Sequence, residues 1–343
     1  MSIQQQSGGS SPVIQWLLLG AALLLLGSII AYFQFLEFQR IDDQERERLT
    51  TLTEVVGKNI VPQLVLADRI ITNVINDLPS WQAANDGFKR ANRELKIINE
   101  TINGIPPLLV MDASGTVFVS TDPKLLGENF AYRDYFKAAV QSPNPKILQV
   151  SAPFQTVLND FAFTLVRTFT GSKGEFAGIV VVTEVPAYFI NLLESVRYAP
   201  DLRASIVHGD GLLFLSAPRG LGIDGMNLAK PDTFFARHLE NGQRASLFTG
   251  TVYATGDQRM MAQRTIQLST PAMDKPLVIA VSRDLQGIFG SWRKGVYELG
   301  GLFGVLALIS ILSMYSYLKR QQLYDRLKAN GTYLSLIALK SRA

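Results

Sequence analysis

Arg133 has the surroundings in this chain that read most clearly as a binding site. It lies in Tyr132-Arg133-Asp134-Tyr135-Phe136, where a guanidinium stands among two phenols and a carboxylate. A guanidinium can hold a carboxylate through two parallel charge-assisted hydrogen bonds, stronger than neutral ones. The segment also opens a predicted helix over 132–141, whose free N–H groups and dipole favour an anion. Tyr132 and Tyr135 can supply hydroxyl donors and an apolar wall, and Asp134 completes the polar set. Arg167, on a predicted strand, is a second cation for the same ligand. The plainer alternative pairs Arg133 with Glu128 or Asp134 on the surface. Phe136 reads as core.

Little else in the sequence could do chemistry. Gly220-Leu221-Gly222-Ile223-Asp224-Gly225 spells G-x-G-x-x-G. A nucleotide site needs that spacing between a parallel strand and a helix, whereas here it falls in a loop of an antiparallel unit. His208 and His238 are isolated from other ligand-type residues, so no metal site is expected. His208 ends a predicted strand and reads as a turn or pocket-wall residue. There is no G-x-S-x-G elbow and no acid pair placed to act on a substrate. With no cysteine in 343 residues, disulfides and thiolate chemistry are excluded. The chain is read as a non-enzyme without cofactor.

The elements that must position Arg133 occur twice. Val110 to Ser120 matches Ile206 to Ser216 at an offset of 96, including Gly115/Gly211 and Phe118/Phe214. Gly127, Asn129 and Phe136 match Gly225, Asn227 and Phe234 at an offset of 98, and Arg133 becomes Pro231. Two copies of one small domain are expected rather than a solenoid. Each copy reads as strand, strand, helix, then three strands, giving an antiparallel sheet in an α+β unit. In the first copy the strands are 108–112, 116–120, 146–152, 161–169 and 176–185. A helix at 187–198 bridges the copies. The second copy has strands at 204–207, 212–216, 245–253, 259–268 and 276–282, with its helix at 232–240. Before them, apolar residues at helical spacing run from Leu49 to Leu78. Pro62 should kink this stalk, and Pro79-Ser80-Trp81 should end it before another helix at 81–102. The alternative is two separate core helices meeting near Pro62.

Two blocks are apolar enough to cross a bilayer, 13–36 and 295–318; a hydrocarbon core needs roughly 20 residues. The first lacks the basic start and small-residue cleavage site of a signal peptide, so a retained anchor is favoured. Tyr297, Tyr315 and Tyr317 sit near the ends of the second, as interfacial aromatics do. The net charge of +4 is concentrated after Leu318, where six basic residues accompany one acid. The remainder holds 27 basic and 28 acidic side chains, which removes nucleic acid as a partner. Basic flanks stay cytoplasmic. The expected organisation is a cytoplasmic N-terminus (1–12), a first span (13–36), and a stalk with its second helix (37–104). A membrane-distal unit (105–186), a membrane-proximal unit (187–290), a second span (295–318) and a basic cytoplasmic tail (319–343) follow. Residues 37–294 would then be periplasmic. In the tail, Leu323 and Leu327 could begin a coiled coil that Asn330-Gly331 stops.

This order, doubled between a long helix and a second span, resembles the double Cache extracytoplasmic sensor domain, a PAS-like fold of bacterial transmembrane receptors. The segment carrying the likeness most strongly is Leu126-Gly127-Glu128-Asn129-Phe130-Ala131-Tyr132-Arg133-Asp134-Tyr135-Phe136, similar to a stretch of C4-dicarboxylate sensor kinases. Ala199-Pro200-Asp201, His208-Gly209-Asp210-Gly211 and Lys275-Pro276-Leu277 are similar to the distal half of Cache domains on histidine kinases and diguanylate cyclases. The resemblance covers about 40–290 and implies two tandem Cache units, the distal one binding a small molecule. Amino-acid-binding members carry Tyr-x4-Arg-x-Trp-Tyr and a later aspartate for the ammonium. Here Arg133 matches, Tyr135 and Phe136 replace Trp and Tyr, Glu128 replaces the leading tyrosine, and Val182-Thr183-Glu184 stands where the aspartate is expected.

The expectation is therefore a bacterial inner-membrane receptor sensing a carboxylate, an organic acid in preference to an amino acid. No kinase, cyclase or chemoreceptor output is read after the second span, so the chain is expected to be either a truncated receptor or one acting through a separate membrane or cytoplasmic signalling partner, and the stalk allows a homodimer. The alternative is a membrane-anchored scaffold with a vestigial pocket.

Overall fold

The computed structural model describes residues 12–101, 107–155, 161–184 and 186–340. It divides into two compact units, 44–287 and a second made of 1–43 with 288–343. The second unit holds the apolar stretches of the first and last helices, α1 (Pro12–Ala83) and α6 (Leu285–Lys340). Both are long and apolar enough to cross a membrane, and no residue of either apolar window is buried by protein. Within this unit Phe38 stacks on Phe289 at 4.8 Å, and Trp292 Nε1 donates to the Gln34 carbonyl at 3.0 Å. Residues 1–11 of the expected cytoplasmic N-terminus lie outside the described residues, as do Ile102 and Val185.

Helix α1 departs from expectation by running unbroken through Pro62 and Pro79. A helix-interior proline removes one backbone hydrogen bond and crowds the preceding turn, costing about 3 kcal/mol. Burial offsets that loss: Ile60 and Leu64 flank Pro62 with no exposed surface, and Leu78 precedes Pro79 at 3% exposure. The buried stripe continues through Leu49, Val56, Ala67, Ile71 and Val74, the three-to-four spacing of a single helix face. Gly57 lets this face approach closely, because a Cβ there would lie 2.8 Å from Ile266 Cδ1. A shorter helix, α2 (Gly87–Thr101), follows. Helix α6 likewise continues through Asn330-Gly331 to Lys340; relative to Ala, a Gly weakens a helix by about 1 kcal/mol and an Asn by up to about 0.7 kcal/mol, without stopping it.

The first copy contains β1 (Leu108–Asp112), β2 (Val117–Ser120), a 3-10 turn (Pro123–Leu125), α3 (Asp134–Gln141), β3 (Ile147–Val150), β4 (Phe154–Gln155), β5 (Phe161–Thr170) and β6 (Phe176–Glu184). Helix α4 (Pro186–Ser195) leads to the second copy. That copy has β7 (Arg203–His208), β8 (Leu213–Ala217), α5 (Phe234–Glu240), β9 (Ala245–Thr251), β10 (Gln258–Ile266), β11 (Ala272–Met273) and β12 (Leu277–Asp284). Strands β8-β7-β12-β10-β9 form a five-stranded antiparallel sheet. The other sheet has seven strands in the order β11-β3-β5-β6-β1-β2, with β4 also on β5. The fold is thus α+β with two antiparallel-rich sheets. The short β4 and β11 were not foreseen.

The repeat is reproduced atom by atom in its hairpins. Gly115 and Gly211 have φ of +84° and +90°, and in both a Cβ would come within 2.7 Å of a backbone nitrogen, of Ala131 or Ala229. Asn129 Oδ1 accepts from Ala131 N, and Asn227 Oδ1 accepts from Ala229 N. The match slips before the helices: Asp232 takes a positive φ of 62°, and α5 starts two residues late relative to α3. Phe235, not Phe234, therefore joins the core with Val207, Leu213 and Val278, as Phe136 does with Met111, Val117 and Ile179.

Strand β11 belongs to the second half of the sequence yet extends the first sheet. It pairs in parallel with β3, Ala272 to Ile147 and Met273 to Leu148. Asp274 Oδ1 then accepts from Val150 N at 2.8 Å. Beside this joint His208 is 2% exposed and lies 3.1 Å from the Val150 carbonyl, which can only accept, so Nε2 carries the proton. Its Nδ1 accepts from Asp210 N. The two sheets are stitched at β3 by backbone pairing, a carboxylate and an imidazole.

Candidate functional site

Helix α3 begins at Asp134, two residues later than expected, so Arg133 is its N-cap and Tyr132 precedes it. The Arg133 carbonyl accepts from Phe136 N and Lys137 N, but its side chain makes no capping bond. The guanidinium instead lies between two rings, 5.3 Å from the centroid of Tyr132 and 5.2 Å from that of Phe154. Tyr135 approaches the same Phe154 ring at 6.0 Å. Burial pushes the Tyr135 hydroxyl up to about 12, against the opposing pull of Arg133. The phenol is thus a neutral hydrogen-bonding group at any working pH.

Neither surface pairing that would explain Arg133 is present. Asp134 is fully exposed and pairs with Lys137 at 3.5 Å, and no bond joins Arg133 to Glu128. Among the described residues the guanidinium has no carboxylate partner. It is a cation held by aromatic faces, a contact worth about 0.5–2 kcal/mol.

The register of the sheet identifies what Arg133 faces. Helix α3 packs through Phe136 and Ala139 on Val166, Ile179 and Val181. Residues directly opposite one another share a face, and successive residues along a strand change face. The pairs Gln149↔Val166, Thr164↔Thr183, Thr168↔Ile179 and Phe154↔Ala162 therefore place Gln149, Thr164, Thr168, Thr183 and Phe154 on the α3 side. Three of these carry buried oxygens without a hydrogen-bond partner: Gln149 Oε1, Thr164 Oγ1 and Thr168 Oγ1. Buried polar atoms are ordinarily paired, so a cluster of unpaired ones marks a place for water or ligand. Sequence reasoning missed these residues. Their signal was Thr164 and Thr168, hydroxyls four apart on one face of an apolar strand.

The same register separates Arg167 from Arg133. Arg167 opposes Val180, on the far face, where its Nε donates to Asp68 of α1 at 2.6 Å and its Nη1 to the Pro145 carbonyl at 2.8 Å. With both partners about seven-eighths buried, this ion pair anchors α1 and is not directed at the α3 side. Glu184 opposes Phe163, also on the far face. Of the expected set, Arg133, Tyr132 and Tyr135 come together; Asp134 points outward and Arg167 lies behind the sheet. The glycines of Gly220–Gly225 occupy the loop after β8, with no parallel strand beside them. Among the described residues no group of three or more His, Cys, Asp or Glu is placed to hold a metal.

No family model matches the chain, and no curated protein matches it by sequence. Solved structures do match in fold. The extracellular domain of a protein named as a histidine kinase, rpHK1S-Z16, superposes with a TM-score of 0.60 at 18% identity, over 73% of this chain and 98% of that one. The periplasmic sensory domain of the Campylobacter jejuni chemoreceptor Tlp1 gives 0.57 at 10% identity, over 73% and 98%. The ligand-binding domain of the Pseudomonas fluorescens chemoreceptor CtaA, in complex with L-isoleucine, gives 0.52 at 15% identity, over 75% and 99%. The chain shares the fold of these sensor domains, with two α+β copies and antiparallel-rich sheets.

Proposed function

With that fold as premise, we propose that the chain is the sensory part of a bacterial inner-membrane receptor, and that its first unit binds a small carboxylate beside Arg133. The observation that carries the reading is a guanidinium with no carboxylate partner among the described residues, clamped between Tyr132 and Phe154, beside a sheet face with three unpaired buried oxygens. A carboxylate would neutralise the cation, while a hydroxyl or acid proton elsewhere on the ligand would satisfy Thr164, Thr168 or Gln149. CtaA holds an amino acid. An amino acid also needs an acceptor charge for its ammonium, and the polar sheet residues facing α3, Gln149, Thr164, Thr168 and Thr183, supply hydroxyls and an amide but no carboxylate. A hydroxy- or dicarboxylic acid fits this set better.

Relay would pass from β3, which carries Gln149, into β11 and so to β12, which leads directly into α6. A ligand shifts such an equilibrium only by its differential affinity; moving it from 1:99 to 99:1 needs about a 10⁴-fold preference. Helices α1 and α6 would each cross the inner membrane once, with the basic tail in the cytoplasm.

Calorimetry on the full chain in lipid nanodiscs tests this with succinate, malate, lactate and acetate against isoleucine and arginine. Saturable binding of an acid is expected, weakened at least tenfold in Arg133→Ala and partly retained in Arg133→Lys. Equal binding by Arg133→Ala would overturn the site, and tight binding of an amino acid alone would overturn the ligand class.

A further inference from the structure

The second copy has Pro231 where the first has Arg133, yet it forms a partly open cavity of about 60 Å³ between its sheet and α5. A water needs roughly 10–15 Å³ of such space, so the cavity has room for about four to six waters or a molecule of similar size. Its wall is mainly apolar and includes Val207, Leu213, Phe235 and Ala280. Alternation along β10 points Arg259, Met261 and Gln263 into it.

The polar groups on this wall are balanced, with one exception. Arg259 is 2% exposed, but its nitrogens donate to Ser282 Oγ, the Ser282 carbonyl, Asp257 and the Asp201 carbonyl. Arg203 pairs with the same Asp257 at 3.0 Å. Thr233 and Ser216 have their own partners. Gln263 is 2% exposed, and its Oε1 is buried without a hydrogen-bond partner. Arg203 and Arg259 share Asp257, and Arg259 directs its remaining donors to Ser282 and the Asp201 carbonyl, so the buried polar atom this wall leaves for a ligand is Gln263 Oε1.

We propose that this cavity is a second binding site, for a small uncharged molecule with an apolar body of three to five heavy atoms and one hydroxyl to meet Gln263. A hydroxyl suits the site because it can donate to Oε1 and can accept as well, whichever way the amide is turned. The proposal stands independently of the carboxylate reading, since the two sites lie on different sheets and recognise different chemistry.

Met261 provides a local reporter. Full-length protein labelled with [¹³C-methyl]methionine, in nanodiscs, is titrated with 1-butanol and, separately, with butyrate, with the Met261 signal assigned from Met261→Leu. A saturable shift of the Met261 methyl by 1-butanol is expected, with at least tenfold weaker response to butyrate. Gln263→Leu, which keeps the side-chain volume but removes the carbonyl, should weaken 1-butanol at least tenfold. Ala280→Leu should abolish the response by filling the space. A linear, non-saturating shift, or equal affinity in Gln263→Leu, overturns the proposal. So does a stronger response to butyrate. Both variants must retain the wild-type spectrum at the other methionines; if Ala280→Leu does not, Gln263→Leu alone decides.

Discussion

At the scale of residues, Glu184 gives a sharp electrostatic expectation. It is 6% exposed, and burial alone pushes its carboxyl from 4.5 up to about 7. The folded protein therefore keeps this proton where the unfolded chain has released it. The favourable contribution is fully present below pH 4.5 and declines as pH rises. It is gone above about pH 7, a loss on the order of 3 kcal/mol. Glu184→Gln cannot ionise, so the variant should gain on wild type steadily from pH 4.5 to 7 and run parallel above. Denaturant melts at a series of pH values measure this, and a constant difference would contradict it. The paired glycines give a second expectation. Gly115→Ala and Gly211→Ala each force a Cβ into a left-handed backbone against a neighbouring amide, costing about 1–2 kcal/mol for the backbone alone, more with the clash. Each should lower the thermal midpoint by several degrees. These glycines were legible because the repeat displays them twice. The contact of Arg133 with the Tyr132 ring was legible from the adjacent positions of the two residues. The role of Arg167 was not, because its partner Asp68 lies 99 positions away on another element.

Elements were read best where one periodicity dominated. Strands β1, β5 and β6 and helix α4 were expected within about three residues of their observed ends. The errors fell where tertiary contact outweighed a local signal. Helix α1 passes two prolines because its buried stripe continues across them, and β11 is two residues long, with no pattern of its own, existing only through its pairing with β3. Both errors concern how α1 and β11 tie the sheets together, which makes those ties worth testing. Asp68→Asn should cost roughly 1–3 kcal/mol, as removing one partner of a mostly buried charged bond does, while leaving carboxylate affinity within twofold. A large loss of affinity would return Arg167 to the ligand site. Asp274→Ala removes the acceptor for Val150 N. Hydrogen exchange at Val150 should accelerate there more than at Leu165 in the sheet centre, with ligand affinity in the first unit retained. Uniform acceleration would mean that the joint is not a separable element.

For the whole molecule, duplication was visible in sequence, but the way the copies join was not, because Asp274 and His208 reach Val150 of β3 from 124 and 58 positions away. The same scale governs orientation in the membrane, where no single residue decides and the distribution of charge does. Six basic residues follow Leu318 against one acid, while everything before them is balanced at 27 basic and 28 acidic side chains. Near a span such a bias retains the basic flank in the cytoplasm, and the N-terminal side, with no charge before Glu37, sets no opposing bias. A green fluorescent protein fused after Ala343 should therefore fluoresce, and an alkaline phosphatase fused there should be inactive. Phosphatase inserted after Gly242, beyond the end of α5, should be active. Replacing Lys319, Arg320, Arg326 and Lys328 by Gln should redistribute the two signals, since the retained charge would fall to Lys340 and Arg342. If the tail reporters stayed unchanged in that variant, the basic cluster would not be what orients the chain. Phosphatase activity at Ala343 in the unmodified protein would contradict the proposed topology and place the two sheets on the cytoplasmic side.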